Sequence, residues 1–119
     1  MGVILRITQK TDFDAVMDAG VHASTPHFAL HIKTPSEHNR IGAVVPKRWA
    51  KRAVTRNAIR RQIYALAAFC QWPQPASDRV VRLRKAFDIS TFTSASSLAL
   101  KSAVRTELQL LFDKAQNTT

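Results

Sequence analysis

Apolar and polar positions along the chain recur at two periods, one typical of helices and one typical of strands. The first helix carries acidic residues suited to a first turn, with Thr11 as its predicted N-cap and Gly20 as its stop. The predicted elements, in order, are a helix at 11–20, strands at 27–33 and 40–45, a long helix at 51–70, a strand at 78–84 and a helix at 94–115.

The strict alternation at 27–33 predicts a strand that is buried on one face only. One face holds Phe28, Leu30 and Ile32, and the other holds His27, Ala29, His31 and Lys33. In the long helix, the buried face is predicted to hold Ile59, Ile63, Leu66 and Cys70. The basic residues of that helix then form an exposed flank.

These elements predict one α+β domain over residues 1–119, in which helices pack on a small sheet and the termini fray at about 1–5 and 116–119. No apolar run approaches the roughly 20 residues of a membrane span, so we expect no membrane partner. The first residues show no export or myristoylation signal, and the lone Cys70 has no partner for a disulfide. We therefore expect a cytoplasmic protein.

Charge is the unusual feature of the composition. Eighteen Lys and Arg residues against eight Asp and Glu give a net charge of +10. The window 38–77 contains no acidic residue, and its basic residues are Arg40, Lys47, Arg48, Lys51, Arg52, Arg56, Arg60 and Arg61. The like charges in this window repel one another in the isolated protein, and a phosphate-rich partner would relieve that repulsion. The sequence therefore favours nucleic acid over an acidic protein or anionic lipid as partner.

Residues 40–61, RIGAVVPKRWAKRAVTRNAIRR, carry the most specific pattern: a strand, a basic turn and a helix start rich in guanidinium groups. This stretch resembles the protein subunit of bacterial ribonuclease P, where R-I-G-x-x-V leads through a basic pair to A-x-x-R-N-R-I-K-R. The strand matches, as do Lys47-Arg48, Ala53, Arg56-Asn57, Ile59 and Arg61, with further likeness over residues 6–113. The departures are Pro46, Ala58, Tyr64 and Ala65 in and after the motif, and Met17 and His31 before it.

The resemblance implies a two-layer α+β sandwich of order αβββαβα with a left-handed βαβ crossover, which adds one strand to those that the pattern predicts. It also implies a subunit of the endoribonuclease that removes the 5′ leader from precursor tRNA. The active site and its Mg²⁺ ions would lie in the RNA subunit, so this chain would hold neither catalytic groups nor metal. We expect a heterodimer of one protein and one catalytic RNA that binds precursor tRNA.

Site residues follow from the same resemblance. Contacts to the RNA subunit are expected from Lys47, Arg48, Lys51, Arg52, Arg56, Asn57, Arg60 and Arg61. The cleft for the leader is expected from Phe13, Met17, His27 and His31, together with Ala29. Trp49 is left with two interpretations, stacking on a base or covering the start of the helix.

Other classes remain as alternatives. A ribosomal-type structural RNA-binding protein fits the size and charge equally well, and it would support no cleavage. A helix-turn-helix DNA regulator is disfavoured by the predicted strands. A protein-only nuclease is disfavoured because Asp12, Asp14 and Asp18, the one carboxylate cluster, suit the first turns of a helix.

Overall fold

The computed structural model describes residues 4–70, 72, 75–87 and 98–117. The predicted fraying of residues 1–3 and 118–119, and the predicted helix start at 94–97, lie outside this part of the chain. The elements are β1 (Leu5–Arg6), α1 (Lys10–Asp18), β2 (Ala23–Ser24), β3 (Phe28–Lys33), β4 (Arg40–Val44), α2 (Ala53–Phe69), β5 (Asp78–Leu83) and α3 (Leu98–Asn117).

The strands form one mixed sheet in the order β1-β4-β5-β3-β2. β4 is parallel to both β1 and β5, while β3 is antiparallel to β5 and β2. From α1 onward the order is αβββαβα, as expected. The implied βαβ unit is β4–α2–β5, with adjacent parallel strands, and its left hand stays a prediction.

The main hydrophobic core lies between one face of the sheet and the two long helices. β3 and β5 contribute Phe28, Leu30, Val81 and Leu83, and α2 contributes Ile59, Ile63, Leu66 and Ala67. The predicted stripe of α3 is buried here in full, at Leu100, Val104, Leu108, Leu111 and Phe112. The α+β architecture is therefore confirmed, with α2 and α3 as the helical layer on this face.

A second, smaller core lies on the opposite face of the sheet, under α1. It consists of Ile7, Val16 and Val80, with Phe13, Met17 and Val44 packed around it. The prediction that β3 is buried on one face only is therefore wrong. Ala29 and His31 are only 1% and 4% exposed, because α1 packs against the face that the alternation assigned to solvent.

The ends of α1 show one error and one success of the pattern. The helix begins at Lys10 after Gln9 and has no side-chain capping bond, so Thr11 is not the N-cap. Gly20 follows the helix with a φ of 91°, a conformation that glycine adopts without steric cost. Its N–H donates to the carbonyl of Met17 at 3.1 Å, as expected of a stop.

Two short strands are not predicted by the pattern. β1 begins at Leu5, inside the segment expected to fray, because Leu5 and Arg6 pair in parallel with Arg40 and Ile41. β2 pairs with β3 over two residues and supplies the additional strand that the resemblance implies. At the other end, α3 runs to Asn117, beyond the predicted limit of 115.

Candidate nucleic-acid interface

The basic surface starts in the loop between β4 and α2. The carbonyl of Pro46 accepts the N–H groups of Trp49 and Ala50, both at 3.1 Å, so the chain turns tightly and exposes Lys47 and Arg48. Trp49 is half-buried against the main core, and the Arg48 guanidinium carbon lies 5.2 Å from its ring centroid. Of the two interpretations of Trp49, the structure supports packing beside the helix start.

Arg56 occupies the first turns of α2, but its side chain points back to the loop. Its Nη1 donates to the carbonyls of Ala50 at 3.0 Å and Lys51 at 2.8 Å. Part of this guanidinium therefore fixes the loop that carries Lys51 and Arg52, and the RNA contact of Arg56 stays a prediction.

Asn57, Arg60 and Arg61 continue the surface along α2. Arg60 Nη1 donates to Asn57 Oδ1 at 3.2 Å, so one helical turn links the two side chains. An open groove of about 480 Å³ lies beside them, and its lining residues are Arg6, Asn57, Arg60, Arg61, Tyr64 and Ala65. Sequence reasoning missed Arg6, because a two-residue strand is too short to show a pattern.

Arg40 is the exception among the eight basic residues of the window. Its Nε and Nη2 donate to the two carboxylate oxygens of Asp78 at 2.8 and 2.7 Å, and Nη1 donates to Asp12 at 3.2 Å. These bonds raise the pKa of Arg40. Burial opposes ionisation of Asp78, but the bonds from Arg40 and Ser36 outweigh it and lower the pKa of that carboxyl. The charge of Arg40 is thus used inside the fold.

The other seven basic residues differ from Arg40 in this respect. Among the residues that the structure describes, none of the seven forms an ion pair with a carboxylate. They are Lys47, Arg48, Lys51, Arg52, Arg56, Arg60 and Arg61. We call these seven, with Asn57, the basic surface. Arg56 and Arg60 donate to neutral oxygens, but no carboxylate among the described residues pairs with any of the seven cations.

Phe13 and Met17 lie together on the other side of the sheet. Both are half-buried around the small core, and Phe13 packs against Gly42 of β4. Their partly exposed side chains leave an apolar edge next to the sheet, as a leader cleft would require.

His31 belongs to this face but is buried, so the prediction that it lines an open cleft is corrected. Its Nδ1 lies 2.9 Å from the carbonyl oxygen of Gly20, and its Nε2 lies 3.4 Å from Arg82 Nε. Burial lowers the pKa of His31, and nearby Arg82 lowers it further, against the bond to Gly20. A neutral ring that donates from Nδ1 and accepts at Nε2 satisfies both contacts.

Arg82 is a second residue that sequence reasoning missed. It lies opposite Ala29 and Val44 in the neighbouring strands and is half-buried. The alternation of β5 places it on the same face as Val80 and could have identified it. Arg82 therefore brings a cation to the face that Phe13 and Met17 share.

His27 does not join this group. Its ring Nδ1 lies 2.8 Å from Glu107 Oε1 on α3, its backbone N–H donates to Oε2 of the same carboxylate, and its ring stacks on Phe87. Thr25 donates to Glu107 as well, at 2.6 Å. Because α3 packs on the opposite face of the sheet from α1, the structure removes His27 from the predicted cleft.

Two further expectations concern metals and membranes. Among the described residues, no three His, Cys, Asp or Glu side chains stand close enough to hold a metal ion, and Asp12 instead pairs with Arg40. Over the same part of the chain, no helix combines the length and apolar character of a membrane span.

Fold and site together define a small α+β protein with a basic surface on one helix and the preceding loop, whose cations pair with no carboxylate among the described residues. The family model described as Ribonuclease P matches residues 1–115. The chain therefore belongs to the ribonuclease P protein family.

Relatives of the chain agree with this assignment. A Ribonuclease P protein component from Paraburkholderia xenovorans (strain LB400) is 33% identical over 115 residues, covering 92% of this chain and 79% of the relative. One from Ralstonia pickettii (strain 12J) is 32% identical over 111 residues, covering 92% and 78%. Membership implies a subunit of the ribonuclease P holoenzyme, a tRNA-processing ribonucleoprotein, with the ribonuclease P RNA as partner.

Solved structures support the fold. The RNase P protein of Staphylococcus aureus superposes with a TM-score of 0.71 at 21% identity, covering 93% of this chain and 94% of that one. The RNase P protein from Thermotoga maritima superposes with a TM-score of 0.64 at 22% identity, covering 91% and 96%.

Proposed function

We propose that this chain docks on the ribonuclease P RNA through the basic surface and thereby supports removal of the 5′ leader from precursor tRNA. The observation that carries the proposal is the contrast between Arg40, which is neutralised inside the fold, and the seven cations that pair with no carboxylate among the described residues. Ordering seven cations on one helix and its preceding loop is unfavourable without a polyanion. RNA phosphates supply such a polyanion.

The loop and helix play different parts in this docking. Arg56 fixes the end of the loop through the carbonyls of Ala50 and Lys51, and the Pro46 carbonyl closes the turn that carries Lys47 and Arg48, so the loop is ordered before the RNA binds. Pre-ordering of the loop reduces the entropy lost on binding. Asn57 and Arg61, both exposed on α2, then offer an amide and a planar guanidinium to phosphates, riboses or base edges.

The leader would lie on the side of α1. Phe13 and Met17 offer partly exposed apolar surface to unpaired bases, and a single strand binds such surfaces by stacking in a sequence-tolerant way. Arg82 would add a phosphate contact. In this arrangement, His31 acts beneath the cleft by holding Gly20 and Arg82.

Cleavage itself is assigned to the RNA subunit in this proposal. Mg²⁺ bound there would activate water and stabilise the developing phosphate charge. The protein neutralises phosphate repulsion and positions the leader, as one protein on one RNA in the bacterial cytoplasm.

Reconstitution tests the proposal. The full chain is mixed with a bacterial ribonuclease P RNA at low Mg²⁺, and leader release from labelled precursor tRNA is followed. We expect cleavage to be restored, and Arg61→Ala to reduce it while Arg105→Ala, an exposed α3 variant, matches wild type. Binding to ribosomal RNA without stimulation of cleavage would favour the ribosomal-type alternative and overturn the proposal.

Salt provides an independent measurement. With about seven phosphate contacts, affinity for the RNA subunit should fall by orders of magnitude between about 50 and 200 mM salt. A flat dependence would contradict docking through the basic surface.

A further inference from the structure

The groove beside α2 has a second wall that belongs to β1. On one side it is lined by Asn57, Arg60 and Arg61, which the basic surface already includes, and on the other by Arg6. Three guanidinium groups thus line one open groove, and the described residues that line it include no carboxylate. The like charges of these groups repel one another. The groove therefore suits a small anion that accepts hydrogen bonds from two guanidinium groups better than it suits an apolar ligand.

The position of Arg6 is fixed by two independent contacts. Its backbone pairs in parallel with Ile41, and the N–H of the next residue, Ile7, donates to the Ile41 carbonyl at 2.9 Å. Its guanidinium carbon lies 4.1 Å from the centroid of the Tyr64 ring. A guanidinium stacked on an aromatic face keeps its N–H donors at the rim, where a phosphate oxygen can accept them.

Tyr64 is one of the positions at which the sequence departs from the pattern of the family, and the structure gives it a partner. It stands one helical turn beyond Arg60 and Arg61 and lines the groove together with Ala65. Its ring stacks against the Arg6 guanidinium, which lines the same groove as Arg60 and Arg61 of α2. The aromatic ring therefore orients a cation from outside the basic motif.

We propose that Arg6, oriented by Tyr64, is a further contact to the ribonuclease P RNA, and that the groove binds one backbone phosphate of that RNA between Arg6 and the guanidinium groups of Arg60 and Arg61. This inference rests on the proposed docking function and extends it from α2 to β1. Arg6 binds the ligand, whereas Tyr64 is a positioning residue that acts through Arg6.

Equilibrium binding of the full chain to a bacterial ribonuclease P RNA, measured over a series of salt concentrations, tests the role of Arg6. Arg6→Ala should weaken binding about tenfold, as expected for the loss of one charge-assisted phosphate contact. The slope of log affinity against log salt should fall by about one. The control Arg105→Ala removes an exposed cation from α3 and should keep the affinity and slope of the wild type.

A double-mutant cycle tests the role of Tyr64. Tyr64→Leu should weaken binding severalfold in the wild-type background but cause no further loss in the Arg6→Ala background. Tyr64→Phe keeps the ring and should bind like wild type. A merely structural role for Tyr64 would instead weaken binding equally in both backgrounds, which would overturn the positioning role.

The two levels of the proposal fail in different ways. If Arg6→Ala binds with the affinity and slope of wild type while Arg61→Ala binds more weakly, the groove inference is wrong and docking through α2 stands. If neither variant changes affinity, the proposed docking surface is itself wrong. Circular dichroism of each variant verifies that the fold is retained, and Arg6→Lys, which keeps the charge without the planar stack, should bind with intermediate affinity.

Discussion

Phe13 of α1 lies directly on Gly42 of β4: a Cβ added at Gly42 would fall 2.9 Å from Cζ of the ring and closer still to Cε1. The glycine of the R-I-G motif therefore has a packing reason, since its missing side chain leaves the space that the ring occupies. Phe13 remains half-buried in this position, so its contact with the sheet determines how much of the ring is exposed.

Replacing Gly42 by Ala should displace the Phe13 ring. We expect a loss of about 1 to 3 kcal/mol in the free energy of unfolding, as for an overpacked core, measured by urea denaturation. The holoenzyme should also lose part of its preference for precursor over mature tRNA, as Phe13→Ala should.

A second substitution separates ring displacement from a general effect of the methyl group. Leucine at position 13 lacks the ring atoms Cε1 and Cζ that would meet the added methyl group, so Phe13→Leu should recover part of the stability that Gly42→Ala loses. Additive losses in the double variant would show that the ring does not compete for this space.

The sequence predicts those elements whose pattern is local. The stripe of α3 and the strand at β3 require nothing beyond neighbouring residues, and both are found, although β3 is not buried on one face only. β1 and β2 are each two residues long, too short for any period, and they exist because β4 and β3 offer them backbone partners. The burial of His31 escapes prediction for a similar reason, since a distant helix covers it.

The candidate site divides along the same line. The exposed cations of the basic surface are visible as a charge window, but the roles within the window depend on partners far away in sequence. Arg40 pairs with a carboxylate 38 residues later, and His27 pairs with Glu107, 80 residues later. Arg56 bonds to nearby carbonyls, yet only the path of the loop determines that it does so.

The Arg40–Asp78 pair should make the free energy of unfolding decrease at acidic pH. Because the folded protein lowers the pKa of Asp78, its contribution is complete above the ordinary pKa of 3.8 and is lost as the pH falls through the folded value. Asp78→Asn, which leaves Arg40 without its bidentate partner, should cost about 3 kcal/mol at neutral pH. The wild-type advantage should shrink on acidification below about pH 4, measured by denaturation at each pH.

Asp18→Asn is the matched control for that experiment, because Asp18 is exposed at the end of α1. Its stability should stay within about 0.5 kcal/mol of wild type. An Asp78→Asn variant as stable as this control would mean that the buried pair contributes nothing to folding.

Alanine substitutions at Arg56 and Arg61 should affect folding stability differently while both weaken RNA binding. Arg56→Ala removes two hydrogen bonds to the loop and should lower the free energy of unfolding by about 1 to 2 kcal/mol, together with RNA affinity. Arg61→Ala should lower affinity while leaving stability within about 0.5 kcal/mol of wild type. Urea denaturation and RNA binding of the same samples measure both quantities, and equal stability of the two variants would contradict the role of Arg56 in the loop.

His31 should make stability fall between neutral and mildly acidic pH. Burial lowers its pKa in the folded protein, so the unfolded chain binds the extra proton first and stability decreases as the pH drops below about 6.5 towards the folded value. One such group contributes a slope of at most about 1.4 kcal/mol per pH unit. His31→Gln keeps a donor and an acceptor and should flatten this slope, whereas His38→Gln, at an exposed position, should leave it unchanged. If the His31 and His38 variants both show the same slope as wild type, protonation of the buried His31 ring does not cause the pH dependence of stability in this range.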